Sequence, residues 1–89
     1  MSQTGNIEVN EPDSRVVVLN GIYKHYKGNY YRVLNVSRDS GNPQLRKVIY
    51  QALYYSDEFG DKCIWDRPIK EFLSLTDKGV PIFEHICSL

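Results

Sequence analysis

The stretch 21–34 places two short runs of β-forming residues on either side of a tight turn. The runs are rich in tyrosine and aliphatic residues, and the turn between them is Lys27-Gly28-Asn29. Glycine adopts a positive φ without a Cβ clash, which two-residue hairpin turns require. This arrangement predicts an antiparallel hairpin and favours an all-β fold.

The same alternation of short β-type runs and turn residues continues along the chain. The predicted strands are Val16–Leu19, Ile22–Tyr26, Tyr30–Ser37, Leu45–Tyr55, Lys62–Asp66 and Ile82–Ile86. Clusters of turn-forming residues separate them at 38–43, 56–61 and 77–79. Pro68 fixes its own φ and disfavours a helical residue before it, so a single short helical turn is predicted from Pro68 onward.

The chain has 89 residues, which allows one domain with a modest core. Residues 1–14 carry few large apolar side chains and are predicted to form a flexible N-terminal arm, followed by a domain over 15–89. Strands this short would leave exposed edges in an open sheet. We therefore predict a small SH3-like antiparallel β-barrel of five to six strands with one short helical turn.

Four sequence blocks follow one another over most of the chain. They are Gly21-x-Tyr23-x-His25-Tyr26-Lys27-Gly28-Asn29-x-Tyr31-x-Val33-Leu34, Val48-Ile49-Tyr50-Gln51-Ala52-Leu53-Tyr54, Trp65-x-Arg67-Pro68-x-x-x-Phe72 and Pro81-x-Phe83. Together the blocks resemble DUF1653, a family known as a domain of unknown function. The resemblance implies a compact SH3-like β-barrel of bacterial type over the predicted domain, and it implies no established activity, substrate or partner. The chain departs from the family pattern in its N-terminal arm and in the bulky loop 55–59.

Charge and cysteine usage narrow the function classes. Lys plus Arg and Asp plus Glu both number 11, so the formal net charge is zero, whereas duplex-binding domains have a basic excess.

No apolar run is long enough to span a bilayer and residues 1–10 contain no hydrophobic signal segment, so we expect a cytoplasmic location and no membrane partner. The two cysteines form no CxxC pair and the two histidines complete no zinc spacing, so we expect reduced thiols, no metal and no cofactor.

Aromatic and basic residues supply the candidate contact face. The chain has 7 Tyr, 3 Phe and 1 Trp, which is more than a small interior can bury with every hydroxyl satisfied. The residues expected in the core are Trp65, Phe72, Tyr50 and Tyr31. The residues expected to form a ligand-binding face are Tyr23, His25, Lys27, Tyr31, Tyr54 and Arg67. The first three of these share one strand parity and would project to the same side of a straight strand.

For both Arg67 and His25, the alternative to a ligand-binding role is a purely structural one. The planar guanidinium of Arg67 suits a carboxylate or phosphate. Alternatively it braces the fold, either by stacking on Trp65 or Tyr31 or by pairing with Asp66 or Glu71. His25 is a proton carrier or phosphate contact, or else a strand-end histidine bonded to the backbone of the next turn. The second interpretation of His25 is favoured because no partnered nucleophile or carboxylate is visible.

These features predict a non-catalytic binding module for a peptide or protein, with aromatics forming the groove and Arg67 fixing a polar end. One alternative is weak binding of single-stranded nucleic acid, with tyrosines stacking on bases. The basic residues that would line its backbone are Lys24, Lys27, Arg32, Arg46 and Lys47. Another alternative is a small hydrolase or transferase that uses His25. Neutral net charge favours a peptide over nucleic acid, and the lack of a nucleophile motif disfavours the enzyme.

Overall fold

The computed structural model describes residues 8–10 and 16–88. Their strands are β1 (Glu8–Asn10), β2 (Val16–Val18), β3 (Gly21–His25), β4 (Tyr30–Asp39), β5 (Asn42–Ala52), β6 (Tyr55–Ser56), β7 (Gly60–Asp61), β8 (Ile64–Pro68) and β9 (Phe83–Ser88). A short helix, α1 (Ile69–Phe72), follows β8. The all-β class and the short helical turn after Pro68 are confirmed. Within the described ranges, no helix has the length and apolar character needed to cross a membrane.

Five strands form one antiparallel sheet in the order β8-β5-β4-β3-β9. The central register pairs Tyr23 with Tyr31, Tyr31 with Ala52, and Tyr50 with Trp65. Two further ladders join β1 to β2 and β6 to β7. Across the described strands, no backbone ladder joins β8 to β9, so these two are the edges of the sheet. The SH3-like barrel therefore stays a prediction.

The hairpin between β4 and β5 is longer than the turn cluster at 38–43 predicts. β4 runs through Asp39 and β5 begins at Asn42, which leaves Ser40 and Gly41 as the turn. Arg38 donates from Nη1 to the carbonyl oxygen of Pro43 at 2.7 Å and braces this end. Irregularities in the β4–β5 register mark bulges, which bend a sheet and increase its twist.

Part of the predicted N-terminal arm takes part in a strand ladder. Residues 8–10 form β1, which pairs antiparallel with β2. The remaining residues of the arm, 1–7 and 11–14, lie outside the described residues, so the boundary at residue 14 stays a prediction. β2 buries Val17 and Val18, and the amide of Val18 donates to the hydroxyl of Tyr23 at 3.0 Å.

The core is an aromatic and aliphatic cluster against which α1 packs. Its buried members are Val17, Tyr23, Val33, Val48, Tyr50, Ile69, Phe72 and Phe83. Phe72 is fully buried and stacks on Phe83 with ring centres 4.4 Å apart and planes 10° apart. Ile69 and Phe72 lie three positions apart on α1, which brings both side chains to the same side of the turn. Of the expected core residues, Trp65 and Tyr31 are half-buried and pack against this cluster.

Gly21, the first residue of β3, lies close to the end of β2 and to a side chain of β9. A Cβ at this position would lie 2.9 Å from the carbonyl oxygen of Val18 and 3.0 Å from Cδ2 of His85. We expect Gly21→Ala to lower the free energy of unfolding by about 1–3 kcal/mol, because a backbone oxygen cannot swing away as a flexible side chain does. Urea unfolding measures this change.

The matched control is Gly41→Ala, whose Cβ meets only the Asp39 carboxylate at 3.5 Å. That substitution should change the free energy of unfolding by no more than about 0.5 kcal/mol. Equal losses for the two variants would show that the approach at Gly21 is not tight.

Candidate functional site

Side chains from five strands and one loop meet around the ring of Phe83, the first residue of β9. The ring centre of Phe83 lies 4.9 Å from that of His25, 5.6 Å from Tyr31 and 5.3 Å from Tyr50. The guanidinium carbon of Arg67 lies 5.2 Å from the Phe83 ring centre. Tyr54, just after β5, joins through its contact with Tyr31. We call this group the Phe83 cluster, composed of His25, Tyr31, Tyr50, Tyr54, Arg67 and Phe83.

Tyr31 and Tyr54 are joined through their hydroxyl groups. The two hydroxyl oxygens are 2.7 Å apart, and the rings meet edge to face. Burial raises the pKa of the Tyr31 phenol far above its ordinary value, the hydrogen bond to Tyr54 raises it further, and a side-chain hydrogen bond from Asn29 opposes the shift. The Tyr31 phenol therefore keeps its proton at neutral pH. A hydroxyl group is both a donor and an acceptor, so the single hydrogen bond between the two residues uses only one O–H of the pair.

His25 is oriented by the turn that follows β3. The amide of Lys27 donates to its Nδ1 at 3.2 Å, and the amide of Gly28 donates to its carbonyl oxygen at 2.7 Å. Burial lowers the pKa of the imidazole, and the positive charges of Arg67 and Lys27 lower it further. The ring is therefore neutral near physiological pH. Because Nδ1 accepts a hydrogen bond, the ring proton lies on Nε2, which is a donor.

Arg67 is held by aromatic rings and a hydroxyl. Its Nε donates to the hydroxyl of Tyr50 at 3.0 Å, and its guanidinium carbon lies 6.0 Å from the Tyr50 ring centre. The rings it lies against are those of Tyr50 and Phe83, rather than the predicted Trp65 or Tyr31. Throughout the described residues, no carboxylate lies within salt-bridge distance of Arg67, so the predicted pairing with Asp66 or Glu71 is not formed.

The predicted contact residues divide into three groups. The structure brings His25, Tyr31, Tyr54 and Arg67 together in the Phe83 cluster. Lys27 is exposed in the turn beyond β3, with its ammonium 5.8 Å from the Tyr26 ring centre. Tyr23 is 2 % exposed and its hydroxyl accepts the amide of Val18, so its side chain is part of the core.

Two members of the Phe83 cluster are not among the predicted contact residues. The sequence predicts Tyr50 as a core residue, and it is 4 % exposed, but its hydroxyl also orients Arg67. Phe83 appears in the sequence only at the end of the Pro81-x-Phe83 block. β8 and β9 are opposite edges of the sheet, so no local pattern indicates that Arg67 lies against Phe83.

Neither cysteine belongs to the Phe83 cluster. Cys63 is half-buried and Cys87 is exposed, and both are free thiols. Among the residues that the structure describes, no group of three or more His, Cys, Asp or Glu side chains could hold a metal ion.

The family model described as "Protein of unknown function (DUF1653)" matches residues 21–85. This range covers most of the chain and contains every member of the Phe83 cluster. The chain belongs to the DUF1653 family. No curated protein and no solved structure matches it. In this DUF1653 protein β1 and β2 precede the matched range, whereas the sheet β8-β5-β4-β3-β9 lies almost wholly within it.

The lowered pKa of His25 in this DUF1653 protein gives a graded test. We expect an NMR titration to place the His25 pKa below 6.5, Arg67→Gln to raise it, and Lys27→Gln to raise it by less, following the order of the two charges. Burial is the largest cause, so neither variant should restore the ordinary value. Because the folded pKa is lowered, the stability linked to His25 is present above pH 6.5 and is lost as the pH falls.

The control for this titration is Lys78→Gln in the exposed turn before β9, which should leave the His25 pKa unchanged. A response of equal size in all three variants would show that long-range charge, rather than the arrangement around His25, sets the shift.

The hydroxyl pair predicts a change at alkaline pH. Tyr54→Phe removes one partner of Tyr31 and should lower the Tyr31 pKa, which ultraviolet absorbance of the phenolate measures. Because the folded pKa is raised, the stability linked to Tyr31 is present below pH 10 and is lost as the pH rises above it. Tyr55→Phe, at a residue 66 % exposed, is the control. An unchanged Tyr31 titration in Tyr54→Phe would show that the hydrogen bond to Tyr54 does not contribute to the raised pKa of Tyr31.

Proposed function

We propose that this DUF1653 protein is a non-catalytic, cytoplasmic binding module that holds an extended segment of a peptide or protein by a carboxylate. The proposal rests on one observation, which is that the Arg67 guanidinium is held in place without a paired carboxylate among the described residues. Tyr50 and Phe83 orient this group. A half-buried cation loses hydration without gaining a counter-charge, and an incoming carboxylate offsets that loss with paired hydrogen bonds.

The other polar groups of the Phe83 cluster also favour an acceptor as ligand. The Nε2–H of His25 is a donor because Nδ1 is occupied by the Lys27 amide. The Tyr31–Tyr54 pair has one O–H proton that its mutual hydrogen bond does not use. Arg67 adds its terminal nitrogens, which are donors only. A surface made of donors and aromatic rings suits a carboxylate flanked by an apolar side chain.

The nucleic-acid alternative has less support from the arrangement of charge. Lys24 lies over the ring of Tyr30 and Lys27 over that of Tyr26, at 5.9 and 5.8 Å. These lysines therefore occupy aromatic faces on which bases would stack. Arg46 pairs across the ladder with Arg38 at the far end of the β4–β5 hairpin, away from the Phe83 cluster. The enzyme alternative also has little support, because the rings around His25 are Tyr26, Tyr31 and Phe83.

Binding measurements separate these functions. We expect pools of short peptides with free C-termini to bind, and Arg67→Lys to weaken the binding about tenfold or more, because an ammonium cannot form the planar fork. Amidated pools with and without Asp or Glu show whether the carboxylate belongs to the chain terminus or to a side chain. An oligonucleotide pool, measured at low and moderate salt, tests the alternative, since phosphate contacts give a steep salt dependence.

Two variants serve as references in the same titrations. Tyr50→Phe keeps the ring but removes the hydroxyl that orients Arg67, and we expect it to weaken peptide binding. Lys24→Ala, on a side chain that lies over Tyr30, should have little effect. Tight oligonucleotide binding that falls steeply with salt and is lost in Lys24→Ala would reverse the ranking. Equal binding of amidated, acid-free and free-acid pools would contradict carboxylate recognition.

A further inference from the structure

We propose that the bound segment adds to the sheet as an extra strand along the free edge of β8; this inference rests on the proposed function. β8 pairs with β5 on one side and is the last strand of the sheet on the other. It carries Arg67, the residue assigned above to hold the carboxylate. The edge and the anchor therefore lie on the same strand.

The pairing with β5 determines which backbone groups of β8 face outward. The amide of Ala52 donates to the carbonyl oxygen of Cys63 at 2.9 Å, and the register continues with Tyr50 opposite Trp65 and Val48 opposite Arg67. Antiparallel ladders alternate between bonded and non-bonded pairs, so Trp65 and Arg67 bond to β5. The amides and carbonyls of Ile64 and Asp66 then point away from the sheet.

These outward groups have no backbone partner within the described residues. The carbonyl oxygen of Ile64 receives only a contact from the Sγ of Cys63 at 3.7 Å. Pro68 has the same parity as Ile64 and Asp66, so its missing N–H costs β8 no bond to β5. Pro68 also ends the usable edge, because α1 begins at Ile69.

The side chains beside this edge indicate the chemistry of the added strand. A strand hydrogen-bonded to β8 would lie about 4.8 Å from it. The Arg67 guanidinium lies over the rings of Tyr50 and Phe83, and its terminal nitrogens are donors. To reach them, a side-chain carboxylate or the carboxyl end of the segment would have to lie on the same face of the sheet as Arg67. On the opposite side the segment would meet Ile64, which is 58 % exposed, and the exposed Asp66.

Asp66 argues against a second copy of this chain as the occupant. Two β8 strands paired antiparallel about a two-fold axis would bring their Asp66 carboxylates near one another on one face of the sheet. Like charges across neighbouring strands are destabilising. The occupant we assign is an extended segment of another protein with a carboxylate at Arg67 and a basic or neutral residue beside Asp66.

Amide hydrogen exchange tests the strand addition in the unaltered protein. The probe is the tightest-binding peptide from the free-acid pool. Its binding should slow exchange of the Ile64 and Asp66 amides about tenfold or more, as expected when exposed amides gain a hydrogen bond. The amides of Trp65 and Arg67 already bond to β5 and serve as internal controls whose exchange should change less.

Asp66→Pro tests the same contact by substitution. It removes one outward amide without removing a bond to β5, so the sheet should survive while peptide affinity falls about tenfold or more. Asp66→Ala removes the same carboxylate but keeps the amide, so the affinity of Asp66→Pro is compared with that of Asp66→Ala, and the expected loss is the difference between the two variants. If Asp66→Pro does not fold, exchange in the unaltered protein decides the question.

The outcomes distinguish the two proposals. Arg67-dependent binding with unchanged exchange at Ile64 and Asp66 would overturn strand addition and leave the carboxylate-binding function in place. Failure of every peptide pool to bind would overturn both. Binding with protected amides in β9 instead would move the added strand to the other edge and overturn the assignment to β8.

Discussion

The ring of Phe83 is the contact on which the rest of this molecule depends. It lies at the start of one sheet edge, stacks on Phe72 of α1 at 4.4 Å, and receives Arg67 from the opposite edge. In the described strands no backbone ladder joins β8 to β9, and the contact between Arg67 and Phe83 links these two edges through side chains. An aromatic ring suits this task, because its edge and face accept other rings, an imidazole and a guanidinium at once. The same ring, Phe83, therefore belongs both to the packed core and to the candidate site.

This shared origin explains why a chain with no net charge brings a guanidinium and several hydrogen-bond donors together in one place. Arg67 is stabilised by ring faces and by the Tyr50 hydroxyl, and no carboxylate of the described residues pairs with it. The charge acts on His25, which stays neutral and keeps its proton on Nε2. Burial keeps the Tyr31 phenol protonated in the same way. Among the described residues, the Phe83 cluster therefore has hydrogen-bond donors and no carboxylate, which suits the carboxylate that we propose as its ligand.

Local features of this fold could be predicted from sequence, and long-range ones could not. The turn at Gly28 and the helix after Pro68 follow from the φ values that glycine and proline permit, and both are found. The turn cluster at 38–43 is misleading, because cross-strand pairing carries β4 and β5 through most of it. His25, Tyr31, Tyr54 and Arg67 could be singled out by residue type. The burial of Tyr23 by β2 and the meeting of Arg67 with Phe83 depend on which strands become neighbours, and no sequence period encodes that.

The size of the free edge limits what it can do alone. Ile64 and Asp66 present four outward backbone groups before Pro68 ends the strand, and each hydrogen bond made there contributes a net 0.5–1.5 kcal/mol, or roughly 2–6 kcal/mol together. The loss of translational and rotational freedom on association costs an estimated 4–15 kcal/mol or more. Backbone hydrogen bonds to an edge this short are therefore too weak to hold a segment without a further anchor. A charge-assisted contact at Arg67 contributes about 1.5–3 kcal/mol per hydrogen bond and is directional. The backbone edge would then set the orientation of a bound segment, and Arg67 would decide which segments stay bound.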